Sequence, residues 1–167
     1  MKEIFLTINH KQKNTDMKTF QIKIALFTLL LLQGCQAIKT AVYDQYSYQK
    51  TTELKVETLL AIDNATTSFE EHQQMVEKVL LDMEKLKEYE KNKPNNEITF
   101  SMWSIMTDSE KNLAAGFFKR WKEKQILSPA FVTEAKKQIE EAFNLLIEYE
   151  VKKDKTSKDN LLALISA

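Results

Sequence analysis

The chain contains little glycine, proline or cysteine: its 167 residues include two glycines, two prolines and one cysteine. The single cysteine excludes a disulfide-stapled fold, and the scarcity of glycine and proline excludes collagen-like and low-complexity classes. Glycine normally makes up about 7% of a protein and supplies tight turns and phosphate-binding loops, so both are disfavoured. Because 43% of the residues are hydrophobic, the length suits one ordinary domain. We therefore expect an almost wholly helical protein.

The charge is balanced overall, with 24 basic and 24 acidic side chains, but it is unevenly distributed. The first 34 residues contain five of the lysines and two of the acidic residues, which leaves 19 basic against 22 acidic side chains in the remainder. A nucleic-acid-binding domain needs a clustered basic excess. The sequence therefore predicts no nucleic-acid partner.

An export signal is predicted at residues 17–34. Lys18 and Lys23 precede nine apolar or weakly polar residues from Ile24 to Leu32. Nine helical residues cover about 14 Å, whereas a bilayer core is about 30 Å thick, so the segment is too short to be a transmembrane span. Since Met17 opens a signal of ordinary length, we interpret residues 1–16 as an over-extended start.

The motif Leu32-Gln33-Gly34-Cys35 follows this apolar run. It resembles the lipobox of bacterial lipoproteins, in which a small residue directly precedes a lipidated cysteine, and the resemblance covers residues 17–35. It implies cleavage between Gly34 and Cys35, and a diacylglyceryl group on the thiol of Cys35, whose new amino group is usually acylated as well. The alternative is an ordinary secretory signal followed by an accidental cysteine.

The same resemblance implies a location. In that family, aspartate directly after the cysteine favours retention in the inner membrane, and this chain has Gln36 there. We therefore expect a protein anchored to the periplasmic face of the outer membrane, with the lipid bilayer as its first partner. Residues 35–42 form a short lipidated tether to a helical domain at residues 43–167.

The domain is predicted to be all-α, with antiparallel helical hairpins forming a small four-to-five-helix bundle after the cleaved signal peptide. Capping boxes at Ser68–Glu71 and Thr107–Glu110, and an N-cap plus N1 proline at Ser128-Pro129, mark helix starts. With the 3.6-residue apolar period, they predict helices at about 43–64, 68–92, 98–106, 107–125, 128–153 and 157–165.

The apolar period also predicts which side chains face the core. In the first helix the predicted stripe is Val56, Leu59, Leu60 and Ile62, and in the second the stripe ends at Tyr89. Two features have alternative interpretations: the tyrosines Tyr43, Tyr46 and Tyr48 either rest at a membrane interface or pack normally, and the group Met102, Trp103 and Met106 forms either a contact surface or core. Gly116 lies inside a predicted helix, which indicates either a close approach by a neighbouring helix or a tolerated glycine.

The sequence offers few catalytic groups. His72 and Cys35 are the one histidine and the one cysteine after residue 34, and the lipobox resemblance commits Cys35 to lipid. Neither a Glu-x-x-His spacing nor a Gly-x-Ser-x-Gly elbow occurs. We therefore expect no catalytic residue, no metal and no cofactor, and we interpret His72 as a core or boundary histidine.

The densest aromatic and basic stretch is Phe117 to Lys124. Phe117 and Trp121 are spaced to enter a core together. The basic residues between and after them are either a solvated face or a surface for an acidic partner or anionic lipid head groups. This candidate surface consists of Lys119, Arg120, Lys122 and Lys124.

These features predict a membrane-anchored, non-catalytic helical binding module for an envelope protein. One alternative is an immunity or inhibitor lipoprotein that neutralises a periplasmic toxin or hydrolase. Another, of a different class, is an envelope hydrolase that uses Glu or Asp pairs. The hydrolase predicts an open cleft in which close carboxylates have perturbed pKa values.

Overall fold

The computed structural model describes residues 40–166, which form six α-helices and no β-strand. The helices are α1 (Gln45–Asp63), α2 (Phe69–Lys91), α3 (Glu97–Met106), α4 (Ala114–Lys124), α5 (Pro129–Lys152) and α6 (Lys155–Ser166). The predicted all-α bundle is therefore confirmed. The signal peptide, Gly34 and Cys35 lie outside the described residues. Across residues 40–166, no helix combines the length and the apolar character that crossing a bilayer requires.

Helix α1 lies between α2 and α5 and contacts both. Lys78 on α2 pairs with Glu57 near the middle of α1, and Tyr89 near the end of α2 meets Tyr46 at the start of α1. The two helices are therefore antiparallel, as predicted. The α1–α5 pair is antiparallel too, since Lys136 near the start of α5 binds Asp63 at the end of α1.

The core is built around two tryptophans with no exposed surface. Trp103 of α3 packs edge-on against Phe143 of α5, with ring centroids 6.1 Å apart. Trp121 of α4 packs edge-on against Phe69 of α2 at 5.4 Å, and its Nε1 donates to the carbonyl oxygen of Thr67 at 3.1 Å. Met102 and Met106 are fully buried with Trp103, so this group belongs to the core and not to a contact surface.

The predicted apolar stripe of α1 is confirmed at Ile62, which is buried, and at Leu59, which packs partly buried against the core, but it is wrong at the other two positions. Val56 and Leu60 are 63% and 58% exposed. The buried face consists mainly of small and partly polar residues: Ser47, Thr51, Leu54, Thr58, Ala61 and Ile62. Helix α1 packs between α2 and α5. Small side chains on α1 let the backbones of these two helices come close to its own backbone. Tyr89 of α2 was also assigned to the core wrongly, since it is exposed and its hydroxyl donates to Asp44.

The sequence signals that predict where helices begin are only partly confirmed. Ser128 caps α5 by accepting from the amide of Phe131 at 3.4 Å, and Pro129 is its first residue. Ser68 precedes α2 as predicted, but its side chain makes no cap hydrogen bond and its hydroxyl donates instead to Gln125 at 3.4 Å. The predicted capping box at Thr107–Glu110 is wrong, because Thr107 ends α3 and α4 begins only at Ala114.

Gly116 of α4 is required by a close approach, although its neighbour is not a helix. The loop before α4 folds back over this turn, so that a Cβ at Gly116 would collide with the carbonyl oxygen of Lys111 and lie 3.3 Å from that of Ser109. Both atoms belong to the backbone. The loop and the first turn of α4 therefore fit together only when residue 116 has no side chain.

Candidate functional site

The four predicted basic residues lie on α4, but they do not form one continuous patch. The buried face of α4 contains Ala114, Ala115, Phe117, Phe118 and Trp121, which leaves the basic residues on its outer side. Lys122 and Lys124 are exposed in the last turn, where cations complement the helix dipole. Lys119, Arg120 and Lys124 line a shallow depression together with Glu110 and Glu123, and Lys122 does not line it. Acidic side chains therefore interrupt the basic set, and Lys119 borders both this depression and the groove described next.

Lys119 and Lys122 border a groove between α2 and α4, which we call the α2–α4 groove. It has a volume of about 370 Å³. Its apolar lining consists of Phe69, Val76, Leu80, Ala115 and Phe118, and its charged lining of Glu77, Glu84, Lys119 and Lys122. Both signs of charge therefore surround an apolar floor.

Lys119 is held at this groove by an ion pair. Its Nζ lies 2.5 Å from Oε1 of Glu110, which belongs to the loop before α4. This hydrogen bond lowers the pKa of the Glu110 carboxyl and raises the pKa of the Lys119 ammonium group. Both side chains stay charged at neutral pH, and Glu110 partly offsets the charge of Lys119 on this side of the groove.

Arg120 takes part in a different site. Its guanidinium lies over the ring of Phe131 in α5, 4.5 Å from the centroid, and Phe131 stacks on Phe117. Beside these rings is a cavity of about 280 Å³, which Gly116 and Ala135 also line. Arg120 and Lys124 do not line the α2–α4 groove, so the groove and the outer face of α4 can be tested separately.

A network of buried charges lies at the end of the bundle where α1 begins. We call it the buried charge network, and its members are Asp44, Glu90, Lys93, Glu150 and Lys153. The Nζ of Lys93 lies 3.3 Å from Asp44, 3.2 Å from Glu90 and 3.9 Å from Glu150. Lys153 binds the second carboxylate oxygen of Glu150 at 2.6 Å. Three carboxylates thus share two ammonium groups.

This network ties the start of α1 to two distant segments. The amide of Asp44 donates to Oε1 of Glu150, 106 residues away, at 2.7 Å. Between α2 and α3, Asn96 donates to the carbonyl oxygen of Glu90 at 2.9 Å, and Asn95 accepts from the amide of Ala41. The network therefore holds residues 41–44 against the ends of α2 and α5.

The carboxyl of Asp44 in this network has a lowered pKa. Burial opposes its ionisation, but hydrogen bonds from Tyr89, Ser47 and the amide of Tyr46, with the charge of Lys93, outweigh burial and lower the pKa of Asp44 to about 2. The hydrogen bond to Asp44 raises the pKa of Tyr89 to about 12. Asp44 is therefore a carboxylate, and Tyr89 a neutral hydrogen-bond donor, across the physiological range.

The sequence interpretation missed this network, although the pattern contains a signal for it. Glu90 follows Leu86 by four residues on the buried face of α2, and Glu150 follows Leu146 by four on that of α5. A carboxylate that continues an apolar stripe must find a buried cation or donor. Glu90 and Glu150 are 0% and 3% exposed, so neither carboxylate is accessible to a substrate.

His72 has the environment of a boundary histidine. Its Nε2 is 2.9 Å from the hydroxyl of Thr67, and its ring centroid is 5.6 Å from that of Trp121. It lines neither the α2–α4 groove nor the cavity beside Phe131. In the part of the chain that the structure describes, histidine, cysteine and acidic side chains do not gather in a group of three or more that could hold a metal ion.

Comparison of this chain with protein-family models, with curated proteins and with solved structures gives no match. The functional argument therefore depends on the residues and their geometry.

Proposed function

We propose that the protein is a lipid-anchored, non-catalytic helical binding module on the periplasmic face of the outer membrane. Acylated Cys35 anchors it to the bilayer, and the α2–α4 groove binds an envelope protein. The lipobox resemblance at residues 32–35 supports the anchor. The geometry of the groove supports the binding role.

The observation that carries the binding role is the combination of an apolar floor and a charged rim. Burial of apolar surface supplies most of the free energy of association, while rim charges orient the partner. Phe69 and Phe118 shape the floor but are already buried, so the partly exposed Leu80 supplies the apolar surface that a partner can cover, and Lys119 on the rim is paired with Glu110. A partner fits this surface if it inserts an apolar side chain, meets the lysine side of the rim with an acidic group and meets the side of Glu77 and Glu84 with a basic group.

The geometry favours binding over hydrolysis. A carboxylate pair that acts as general acid and base must reach the substrate, and one member must hold a proton at the working pH. In the buried charge network, Glu90 and Glu150 are inaccessible, and the pKa of Asp44 is lowered to about 2. Glu90 and Glu150 therefore lack the access to substrate that a hydrolase requires, and Asp44 lacks the proton that a general acid requires.

Site-specific photo-crosslinking in the native envelope tests the binding role. A photoreactive residue at Leu80, which lines the groove, should crosslink one envelope protein that mass spectrometry identifies. The double variant Lys119→Glu/Lys122→Glu should lower the crosslinked yield at least tenfold, because it reverses the cations of the rim.

The matched control is Arg120→Glu/Lys124→Glu, which makes the same change in charge on the same helix outside the groove. It should preserve the crosslinked yield. Equal losses in both double variants, or no loss in either, would refute the groove as the binding site. Identification of a toxin or a hydrolase as the partner would establish the inhibitor role.

A further inference from the structure

A group of exposed apolar and aromatic side chains surrounds the start of α1. We call it the entry surface, and it consists of Val42, Tyr43, Tyr46 and Tyr89. Val42 and Tyr43 are 83% and 50% exposed, and the two other tyrosines are exposed as well. Exposure of large apolar side chains to water is unfavourable. A group of them at one place indicates a contact with an apolar or amphipathic phase.

The rings of the entry surface are fixed by their neighbours. Tyr46 and Tyr89 lie with ring centroids 4.7 Å apart, which joins α1 to α2. The hydroxyl of Tyr89 donates to Asp44 at 2.7 Å. Tyr43 contacts the ring of Tyr48 at 6.3 Å. Tyr46 and Tyr48 are two positions apart, so these two pairs lie on different sides of the start of α1. Each pair restricts its own rings, so little conformational entropy is lost when they make a contact.

The backbone beneath these rings is fixed too. The amide of Ala41 donates to Asn95 at 2.9 Å, and the amide of Asp44 donates to the buried carboxylate of Glu150 at 2.7 Å. Val42 and Tyr43 lie between these two attachments. These two hydrogen bonds hold the backbone of Val42 and Tyr43 in place, and the one to the buried Glu150 is costly to break.

The chain length brings this surface close to a bilayer if Cys35 is acylated. Cys35 precedes Ala41 by six residues, and six extended residues span at most about 20 Å. Tyrosine is enriched where membranes meet water, because its ring is apolar and its hydroxyl is polar. The exposed lysines beside the surface are already paired, Lys50 with Glu53 and Lys91 with Glu88, so they add little net charge.

We propose that the entry surface rests in the interfacial region of the bilayer that holds the lipid anchor, with Val42 and Tyr43 in contact with lipid. This inference depends on the proposed acylation of Cys35 and adds an orientation to it. The α2–α4 groove includes Phe69 and Leu80 of α2, which precede Tyr89 by about 30 Å and about 13 Å along the helix axis. With the end of α2 at the membrane, the groove stays open to the periplasm.

Depth-dependent fluorescence quenching tests this orientation. The full chain carries one cysteine, and acylation blocks its thiol, so a cysteine introduced by Val42→Cys is the single thiol available for an environment-sensitive dye. The acylated protein is placed in phosphatidylcholine vesicles that contain nitroxide-labelled lipid. We expect the fluorescence of the dye at residue 42 to be at least threefold weaker in these vesicles than in vesicles without nitroxide-labelled lipid.

The matched control is Ile126→Cys. Ile126 is also exposed, and it lies at the opposite end of α1, since the neighbouring Leu127 donates to the carbonyl oxygen of Ala65. A dye there should show almost no quenching. Adding Tyr43→Ser and Tyr46→Ser to the Val42→Cys protein should reduce the quenching at residue 42 at least twofold, with the helical circular dichroism unchanged.

The outcomes separate this inference from the proposed function. Equal quenching at residues 42 and 126 in an acylated, vesicle-bound protein would overturn the orientation and leave the anchor intact. Full quenching at residue 42 after both tyrosine substitutions would overturn the role of the tyrosines. Mass spectrometry that finds Cys35 unacylated in a soluble protein would overturn both proposals.

Discussion

The identity of Gly116 is tightly constrained by its surroundings. Glycine in a helix normally costs about 1 kcal/mol relative to alanine. In α4, however, the carbonyl oxygen of Lys111 occupies the space that a Cβ would need. The loop before α4 must therefore shift if residue 116 has any side chain.

We predict that Gly116→Ala destabilises the protein by about 1–3 kcal/mol, the usual cost of overpacking. Urea unfolding followed by circular dichroism measures the change in the free energy of unfolding. The direction of the change in unfolding free energy is decisive, because helix propensity alone predicts that alanine stabilises the protein by about 1 kcal/mol. The control Glu123→Ala changes an exposed residue of the same helix and should alter the free energy of unfolding by less than about 0.5 kcal/mol. A more stable Gly116→Ala protein would contradict the collision.

At the scale of the helix, α1 shows why an apolar stripe is an incomplete guide to burial. Its buried face includes Ser47, Thr51 and Thr58, whereas Val56 and Leu60 are exposed. Contacts with α2 on one side and α5 on the other favour small residues. One of these small residues, Thr58, is fully buried and its hydroxyl has no hydrogen-bond partner.

We expect Thr58→Val to stabilise the protein by about 1 kcal/mol. Valine has nearly the same shape and helix propensity, and it removes a buried hydroxyl that lost its hydrogen bonds to water. Thermal and urea unfolding measure the effect. The matched control on the same helix is Thr52→Val, whose hydroxyl donates to the carbonyl oxygen of Tyr48 at 2.8 Å. Thr52→Val should leave the stability unchanged or lower it. An equal increase in stability in both variants would contradict the view that the Thr58 hydroxyl is buried without a partner.

At the scale of the whole molecule, the buried charge network joins segments that are far apart in the sequence. Asp44, Lys93 and Glu150 meet where α1 begins, α2 ends and α5 ends. Because the entry surface is attached to the same residues, the network also fixes the end of the bundle that we place at the membrane. Its ionisation state therefore affects the stability of this end of the bundle.

The stability of this end of the bundle should depend on pH because Asp44 titrates. The pKa of Asp44 falls from 3.8 to about 2 on folding, so its carboxylate stabilises the fold above pH 3.8 and loses this contribution as the pH falls towards 2. We expect Asp44→Asn to lower the free energy of unfolding at pH 7 by about 1–2 kcal/mol. Asparagine still accepts a hydrogen bond at the helix N-cap.

Urea unfolding of both proteins at pH 7, 4, 3 and 2 measures the difference, in which the contributions of the other carboxylates cancel. The difference should shrink between pH 4 and pH 2. The control Asp159→Asn removes an exposed ion pair with Lys155 and should change stability by less than about 1 kcal/mol at every pH. A difference for Asp44→Asn that is the same at all four pH values would contradict the role assigned to its charge.

The sequence by itself determined the helical class and most helix positions, because both depend on local properties. The scarcity of glycine, the 3.6-residue apolar period and the helix start at Ser128-Pro129 are all visible in the sequence without knowledge of tertiary contacts. The prediction of an anchor at Cys35 has the same local basis, since four consecutive residues carry it. Thr107–Glu110 shows the limit of such signals: the same residue types that cap a helix also form the turn that ends α3.

The tertiary structure alone decided which groups meet across helices. It determined that α1 buries small polar residues, that Lys119 and Lys122 share a groove with Phe69 while Arg120 stacks on Phe131, and that Asp44 binds Glu150. Helical periodicity fixes the face of a residue, but it does not fix the angle, the offset or the neighbour of that helix in the bundle. Those follow from how all the side chains pack at once, so the binding groove and the buried charge network emerge only in the folded molecule.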